Sequence, residues 1–198
     1  MRSEKPVTID EVRKYYNEFN PHLLKDLEHK NSRLVEIKRF IKKNIARRGY
    51  TTALDVGCGI GITSEFLRKF DIAVTAIDLS DVNIMTAKTI HPGEVDYVQG
   101  DFTIAKLGYF DLVCAFDVVE HIRPEDLVQF TSNLYKHCAK IALVTIPRPD
   151  VAKKNQEIPE ILQIVDEAVT EDAFDDLFNI VWKRMSDTYI YYILSPRR

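Results

Sequence analysis

From Thr52 onward, short apolar runs alternate with helix-like stretches, and this alternation limits the fold more than any other feature of the sequence. Runs at 53–56 (ALDV), 72–77 (IAVTAI), 95–98 (VDYV), 110–116 (FDLVCAF) and 140–146 (KIALVTI) read as strands. Helices are expected at 61–70, 81–90 and 124–138, with Ser80 capping the second and Pro124, Glu125 and Asp126 forming the first turn of the third. Near-continuous apolar strands separated by helices predict a parallel sheet covered on both faces. The tail breaks this rhythm. Thr170, with Glu171 and Asp172, is expected to open a short helix before two β-rich runs, NIVWKRM and TYIYYIL, that are separated only by Ser186 and Asp187. So short a connection permits an antiparallel hairpin but no parallel crossover.

The first quarter has a different character. Residues 1–50 carry 13 Lys or Arg against 7 Asp or Glu, a net of +6, whereas the other 148 residues carry −9 of the overall −3. A first helix is expected at about 8–19, opened by Thr8 and Glu11 at capping-box spacing and ended by Pro21. A second, at about 22–47, places Leu34, Ile37, Ile41 and Ile45 at helical spacing, with Lys38, Arg39, Lys42, Lys43 and Arg47 pointing elsewhere. A length of 198 residues predicts one domain, divided into a helical segment (1–49), a core (50–147) and a tail (148–198). No apolar run approaches the roughly 20 residues needed to span a bilayer, and the start lacks a signal-peptide pattern, so a cytoplasmic location is expected. The three cysteines, Cys58, Cys114 and Cys138, have no paired spacing and are expected to be free thiols.

The sequence ALDVGCGIGI runs from an apolar strand through Gly57, Cys58, Gly59 and Gly61 into a helix. Its spacing is GxGxG, not the GxGxxG of dinucleotide folds, and Asp55 stands inside the strand where those folds carry an apolar residue. A carboxylate there suits an ammonium-bearing ligand better than a diphosphate. The second strand ends at Asp78 and Leu79, an acid placed to accept ribose hydroxyls, and Gln99-Gly100-Asp101-Phe102 follows the third. Three successive strands thus finish in glycine or acid, at the end of the sheet where open α/β folds bind ligands.

With these residues in place, the sequence resembles the class I S-adenosylmethionine-dependent methyltransferases, in particular the small-molecule type typified by ubiquinone-biosynthesis O-methyltransferases. The resemblance rests on LDVGCGIG, AIDLS, QGDF and FDVVEHI, in that order, and covers about 50–147. It implies an α/β Rossmann-like fold with a mostly parallel seven-stranded sheet, an antiparallel last strand and an N-terminal helical lid. It also implies S-adenosyl-L-methionine as cofactor. Asp55, Gly57 and Gly59, with Cys58 and Gly61 of the same turn, would face its methionine part. Asp78 and Leu79 would take the ribose, Asp101 and Phe102 would bracket the adenine, and Phe116 and Asp117 would line the fourth strand end. Tyr15, Tyr16 and Phe19 would contact cofactor or acceptor from the lid, or simply pack it onto the sheet.

Methyl transfer requires nucleophile and methyl to be held together and, for a hydroxyl, a proton to be removed. His121, after Asp117-Val-Val-Glu120, is the candidate general base, with a scaffold role as the alternative. Some relatives carry Glu-x-x-Glu-His here and bind a metal; this chain has the shorter Asp117 first, and no metal is assigned. The acceptor is expected to be a small molecule attacked at oxygen or, second, nitrogen. The acidic run Glu157, Glu160, Asp166, Glu167, Glu171, Asp172, Asp175 and Asp176 would favour a cationic acceptor or would simply be solvated. Nucleic acid is disfavoured as a partner, despite the basic stripe, because neither an Asn-Pro-Pro-Tyr type of motif nor a Pro-Cys nucleophile is present. A cofactor-binding scaffold without transfer activity and a nicotinamide-dependent oxidoreductase are the remaining alternatives. The oligomeric state is not readable.

Overall fold

A computed structural model describes residues 8–28, 32–148 and 167–198. Glu157, Glu160 and Asp166 lie outside the described residues, as do the side chains of Phe19 and Glu167. The strands are β1 (Thr52–Val56), β2 (Ala73–Asp78), β3 (Asp96–Gln99), β4 (Phe110–Phe116), β5 (Cys138–Pro147), β6 (Phe178–Met185) and β7 (Tyr189–Pro196). They form one seven-stranded sheet in the order β3-β2-β1-β4-β5-β7-β6. The first five are parallel, and β7 runs antiparallel to both β5 and β6. The Rossmann-like sheet, the antiparallel last strand and the terminal hairpin are as expected. Strand order reverses between β1 and β4, and the ends Val56, Asp78, Phe116 and Thr145 come level there through the pairings Val56↔Ile77, Val56↔Ala115 and Phe116↔Thr145. A crevice at such a reversal is where open α/β sheets take ligands.

The helices are α1 (Ile9–Glu28), α2 (Ser32–Ile45), α3 (Ile62–Arg68), α4 (Asp81–Ile90), α5 (Leu127–His137) and α6 (Glu167–Asp175). Strand side chains alternate between faces, so β4 sends Leu112 and Cys114 against Ile37 and Ile41 of α2, Leu67 of α3 and Ile84 of α4. Val113 and Ala115 face the other way, toward Phe130 and Leu134 of α5 and Phe174 of α6. Helices therefore cover both faces. Each fully buried Phe or Leu contributes about 1.5–3 kcal/mol relative to exposure.

Three expectations about helix ends are corrected. Pro21 does not end the first helix, which runs unbroken from Ile9 to Glu28. Proline's fixed φ is itself helical, and the lost backbone donor together with the ring's clash against the preceding turn costs about 3 kcal/mol or more, which the rest of a 20-residue helix must offset. The turn at Pro124–Asp126 is 3-10, and α5 starts after it at Leu127. Thr170 lies inside α6, whose described residues start at Glu167, and is fully buried. Two caps form as the sequence predicts. Glu11 N–H donates to Thr8 Oγ1 at 3.3 Å while Thr8 N–H donates to Glu11 Oε2 at 2.7 Å, and Ser80 Oγ accepts from Asn83 N–H at 3.0 Å.

Candidate active site

The glycine turn after β1 is built from its own hydrogen bonds. Gly57 N–H and Cys58 N–H both donate to the Ile77 carbonyl (2.8 and 3.1 Å), and Gly61 N–H donates to the Cys58 carbonyl (2.9 Å). Gly59 N–H donates to Asp78 Oδ2 at 2.8 Å. Glycine is required at two positions. A Cβ on Gly57 would lie 2.4 Å from Val118 Cγ2, and one on Gly61, at φ +81°, would lie 2.3 Å from Tyr97 Oη.

Two adjoining chambers open at the carboxyl ends of the strands. The first, about 400 Å³, is bounded by Leu79, Gly100, Asp101, Phe102, Thr103 and Ile104, with Ile9 and Val12 of α1 across from them. The second, about 230 Å³, lies against Arg33, Cys58, Gly59, Thr63 and Phe116. Tyr16, Gly57, Asp78, Asp117 and His121 line both. Ligand cavities commonly span about 300–1,000 Å³, so the pair accommodates a nucleoside-sized molecule.

Of the residues singled out from the sequence, Tyr16, Gly57, Cys58, Gly59, Asp78, Leu79, Asp101, Phe102, Phe116, Asp117 and His121 thus meet in these walls, and Tyr15, Asp55 and Gly61 do not. Gly61 caps α3 behind the turn. Asp55 shares its strand face with Ala53, so its side chain turns under α3, where Oδ2 accepts from Thr63 Oγ1 (2.8 Å) and Ser64 Oγ (2.6 Å). Burial pushes its carboxyl up to about 6, against the pull of those two hydroxyls.

Asp78 is the hub of the turn. Besides Gly59, it receives Ser80 N–H (2.9 Å) and Asn83 Nδ2 (3.3 Å) on Oδ1. Burial raises its pKa while these donors oppose the rise. Helix α1 is tied to the same place. Asn17 of α1 accepts from Ser80 Oγ at 2.6 Å and donates to Asp81 Oδ1 at 2.9 Å, which sets the adjacent Tyr16 into the cavity wall.

At the shared wall, Tyr16 and His121 meet edge to face with ring centroids 5.8 Å apart. Tyr16 Oη, His121 Nδ1 and Glu120 Oε2 are buried without a partner. Burial, outweighing the nearby Asp117 charge, pushes His121 down to about 4, so the imidazole is neutral at pH 7. Burial and then Asp117 push the Glu120 carboxyl well above its usual range. Burial likewise raises the Cys58 thiol, which stays protonated and unreactive. Asp117, at φ +56°, does not join Glu120 and His121 as a ligand set, because its Oδ2 is engaged by Arg33 Nη2 (2.6 Å) and Tyr189 Oη (2.8 Å). Among the described residues no cluster of three His, Cys, Asp or Glu is arranged to hold a metal ion.

The sequence reading passed over Arg33, Thr63, Arg123 and Tyr189. Among the described residues Arg33 and Arg123 are the cations lining the chambers, and each faces a carboxylate, Asp117 for Arg33 and Asp126 for Arg123. Of the acidic tail, Asp172, Asp175 and Asp176 are exposed, while Glu171 binds Tyr192 Oη and Lys183. None of these four lines either chamber. The basic stripe is also elsewhere: Arg39, Lys42, Lys43 and Arg47 are exposed, with Lys43 over the Trp182 ring.

Residues 54–146 match a family described as "Methyltransferase domain". The ubiquinone biosynthesis O-methyltransferase of Caulobacter vibrioides is 34% identical over 122 residues, which is 57% of this chain and 48% of that protein. The chain therefore spans about half the length of the relative it matches. Among solved structures, magnesium protoporphyrin IX methyltransferase from Synechocystis PCC 6803 with bound SAH has a TM-score of 0.75 at 16% identity, covering 94% of this chain and 98% of that one. The [4+2]-cyclase SpnF is also similar, with a TM-score of 0.73 at 17% identity over 92% of this chain and 78% of that one. The fold is shared with these two structures and does not by itself fix the reaction.

Proposed function

We propose, on the premise that residues 54–146 are a methyltransferase domain, that the protein is an S-adenosylmethionine-dependent methyltransferase acting on a small-molecule hydroxyl. The observation that carries this reading is the state of the glycine turn. In a phosphate-binding loop the backbone N–H groups point at the ligand. Here those of Gly57, Cys58, Gly59 and Gly61 are all used internally, and a carboxylate, Asp78, occupies the place of an anion. The N–H groups of these four residues are therefore not left to cradle a diphosphate, whereas Asp78 and Asp101 supply acceptors for a phosphate-free, cationic nucleoside. That disfavours the nicotinamide-dependent alternative.

The first chamber takes the adenosine part, with Asp78 toward the ribose hydroxyls and Leu79, Asp101 and Phe102 beside the base. The second takes the amino-acid part, with Gly57 and Gly59 behind it and Arg33, the cation lining this chamber, toward its carboxylate. When bound, the cofactor supplies a methyl group on a sulfonium for in-line displacement. Tyr16 and His121 then line the reacting region. A hydroxyl seated there finds a partner in the neutral His121 imidazole, which can receive its proton at Nδ1 in the tautomer that carries the ring proton on Nε2. An imidazole of such low basicity is a weak general base, so positioning by the lid and exclusion of water carry more of the rate than proton abstraction. Ile9 and Val12 on α1 close the first chamber for that purpose.

The test is incubation of the protein and tritiated S-adenosylmethionine with fractionated cell extract. Label passing to an alkali-stable small molecule, and to no RNA or DNA, supports the reading. Tight binding of S-adenosylhomocysteine with no label transferred to any fraction would favour the non-catalytic scaffold.

A further inference from the structure

We infer that Tyr189, on the C-terminal hairpin, is a positioning residue that holds Arg33 of α2 in register with Asp117, the residue after β4, and so fixes the carboxylate-binding end of the cavity. This rests on the proposed cofactor reading. Tyr189 and Arg33 both lie outside the stretch that matches the methyltransferase family, so the cavity is completed by elements on either side of it.

The geometry is a closed three-way contact. Arg33 Nε donates to Tyr189 Oη at 2.6 Å, Tyr189 Oη donates to Asp117 Oδ2 at 2.8 Å, and Arg33 Nη2 donates to the same Oδ2 at 2.6 Å. Tyr189 is fully buried, and burial followed by the Asp117 charge raises its pKa, so its one proton is always present for Asp117. The Arg33 guanidinium also lies over the Tyr189 ring, 5.8 Å from the centroid. Asp117 is held from the other side by Thr145, whose Oγ1 donates to Oδ1 at 3.3 Å. The Arg33 side chain itself is 50% exposed, and a long side chain so placed samples many rotamers unless something fixes it. Tyr189 fixes Nε and Asp117 takes Nη2, so the orientation of the planar guanidinium is set. A guanidinium whose plane is set in this way suits planar recognition of a carboxylate.

The experiment compares two ligands by calorimetry: S-adenosylhomocysteine, which carries the amino-acid carboxylate, and 5′-methylthioadenosine, which lacks it. Tyr189→Phe removes only the hydroxyl and is expected to weaken S-adenosylhomocysteine about tenfold, the scale of a lost hydrogen bond to a charged group, and to leave methylthioadenosine unchanged. Binding of the second ligand also reports that the variant is folded. In an Arg33→Met background the same substitution should have no further effect, because its influence passes through Arg33. Equal loss of both ligands, no loss of either, or additive losses in the double variant would overturn the inference. If the unaltered protein bound neither ligand, the cofactor reading beneath it would fall instead.

Discussion

Replacing Asp55 by Asn should stabilise this protein at alkaline pH and do nothing for it in acid. The side chain is 1% exposed, and its carboxyl is held at about 6 in place of the ordinary 3.8, chiefly by burial. Below pH 4 the group is protonated in both folded and unfolded chains. Between 4 and 6 only the folded chain keeps the proton, and above 6 both have lost it. The folded state therefore has an advantage at low pH that disappears as pH rises through about 6. At about 1.36 kcal/mol per pH unit, the gap between the two values amounts to about 3 kcal/mol. Asn carries no charge to bury, and its Oδ1 can accept from Thr63 and Ser64 as the Oδ2 of Asp55 does. Urea unfolding of both proteins from pH 4 to 8 isolates this contribution. The difference in unfolding free energy should move in favour of Asn by about 3 kcal/mol across the range, mostly between pH 4 and 6. A difference that stays flat, or that moves toward Asp as pH rises, would refute the assignment of a costly buried charge.

Asp78→Ala should weaken S-adenosylhomocysteine binding at least tenfold and also cost about 1–3 kcal/mol of stability, since the N–H groups of Gly59 and Ser80 lose their acceptor; calorimetry and urea unfolding read the two effects separately. Gly61→Ala should lower stability by about 1–3 kcal/mol, because its Cβ would approach Tyr97 Oη at 2.3 Å; an unchanged melting temperature would show that the turn relaxes freely. Because His121 is neutral well below pH 6, the ratio of wild-type to His121→Ala turnover should be constant from pH 5.5 to 8. A ratio that fell away below pH 6.5 would mean that the imidazole titrates at its ordinary value.

The sheet was legible because each strand is written locally, in a run such as FDLVCAF whose alternate residues serve opposite helical layers. The glycine turn was legible because its backbone demands are local too. What could not be read is set by chain segments far apart. Arg33 meets Asp117 across 84 residues and Tyr189 across 156, and nothing in NSRLVE or TYIYYIL marks either residue as part of a site. Asp55 shows the converse. Its type signalled something unusual within a strand, but which face it takes depends on the two-residue alternation, and that face is covered by α3. At Pro21 a local rule about helix ends was overridden by a helix long enough to absorb one missing hydrogen bond.

The most direct test of the central claim is calorimetric titration of the protein with S-adenosylhomocysteine, and in parallel with NADH and ATP. A glycine turn whose N–H groups are already engaged predicts micromolar or tighter binding of the first and no measurable heat from the other two. Binding of NADH or ATP with S-adenosylhomocysteine silent would contradict it.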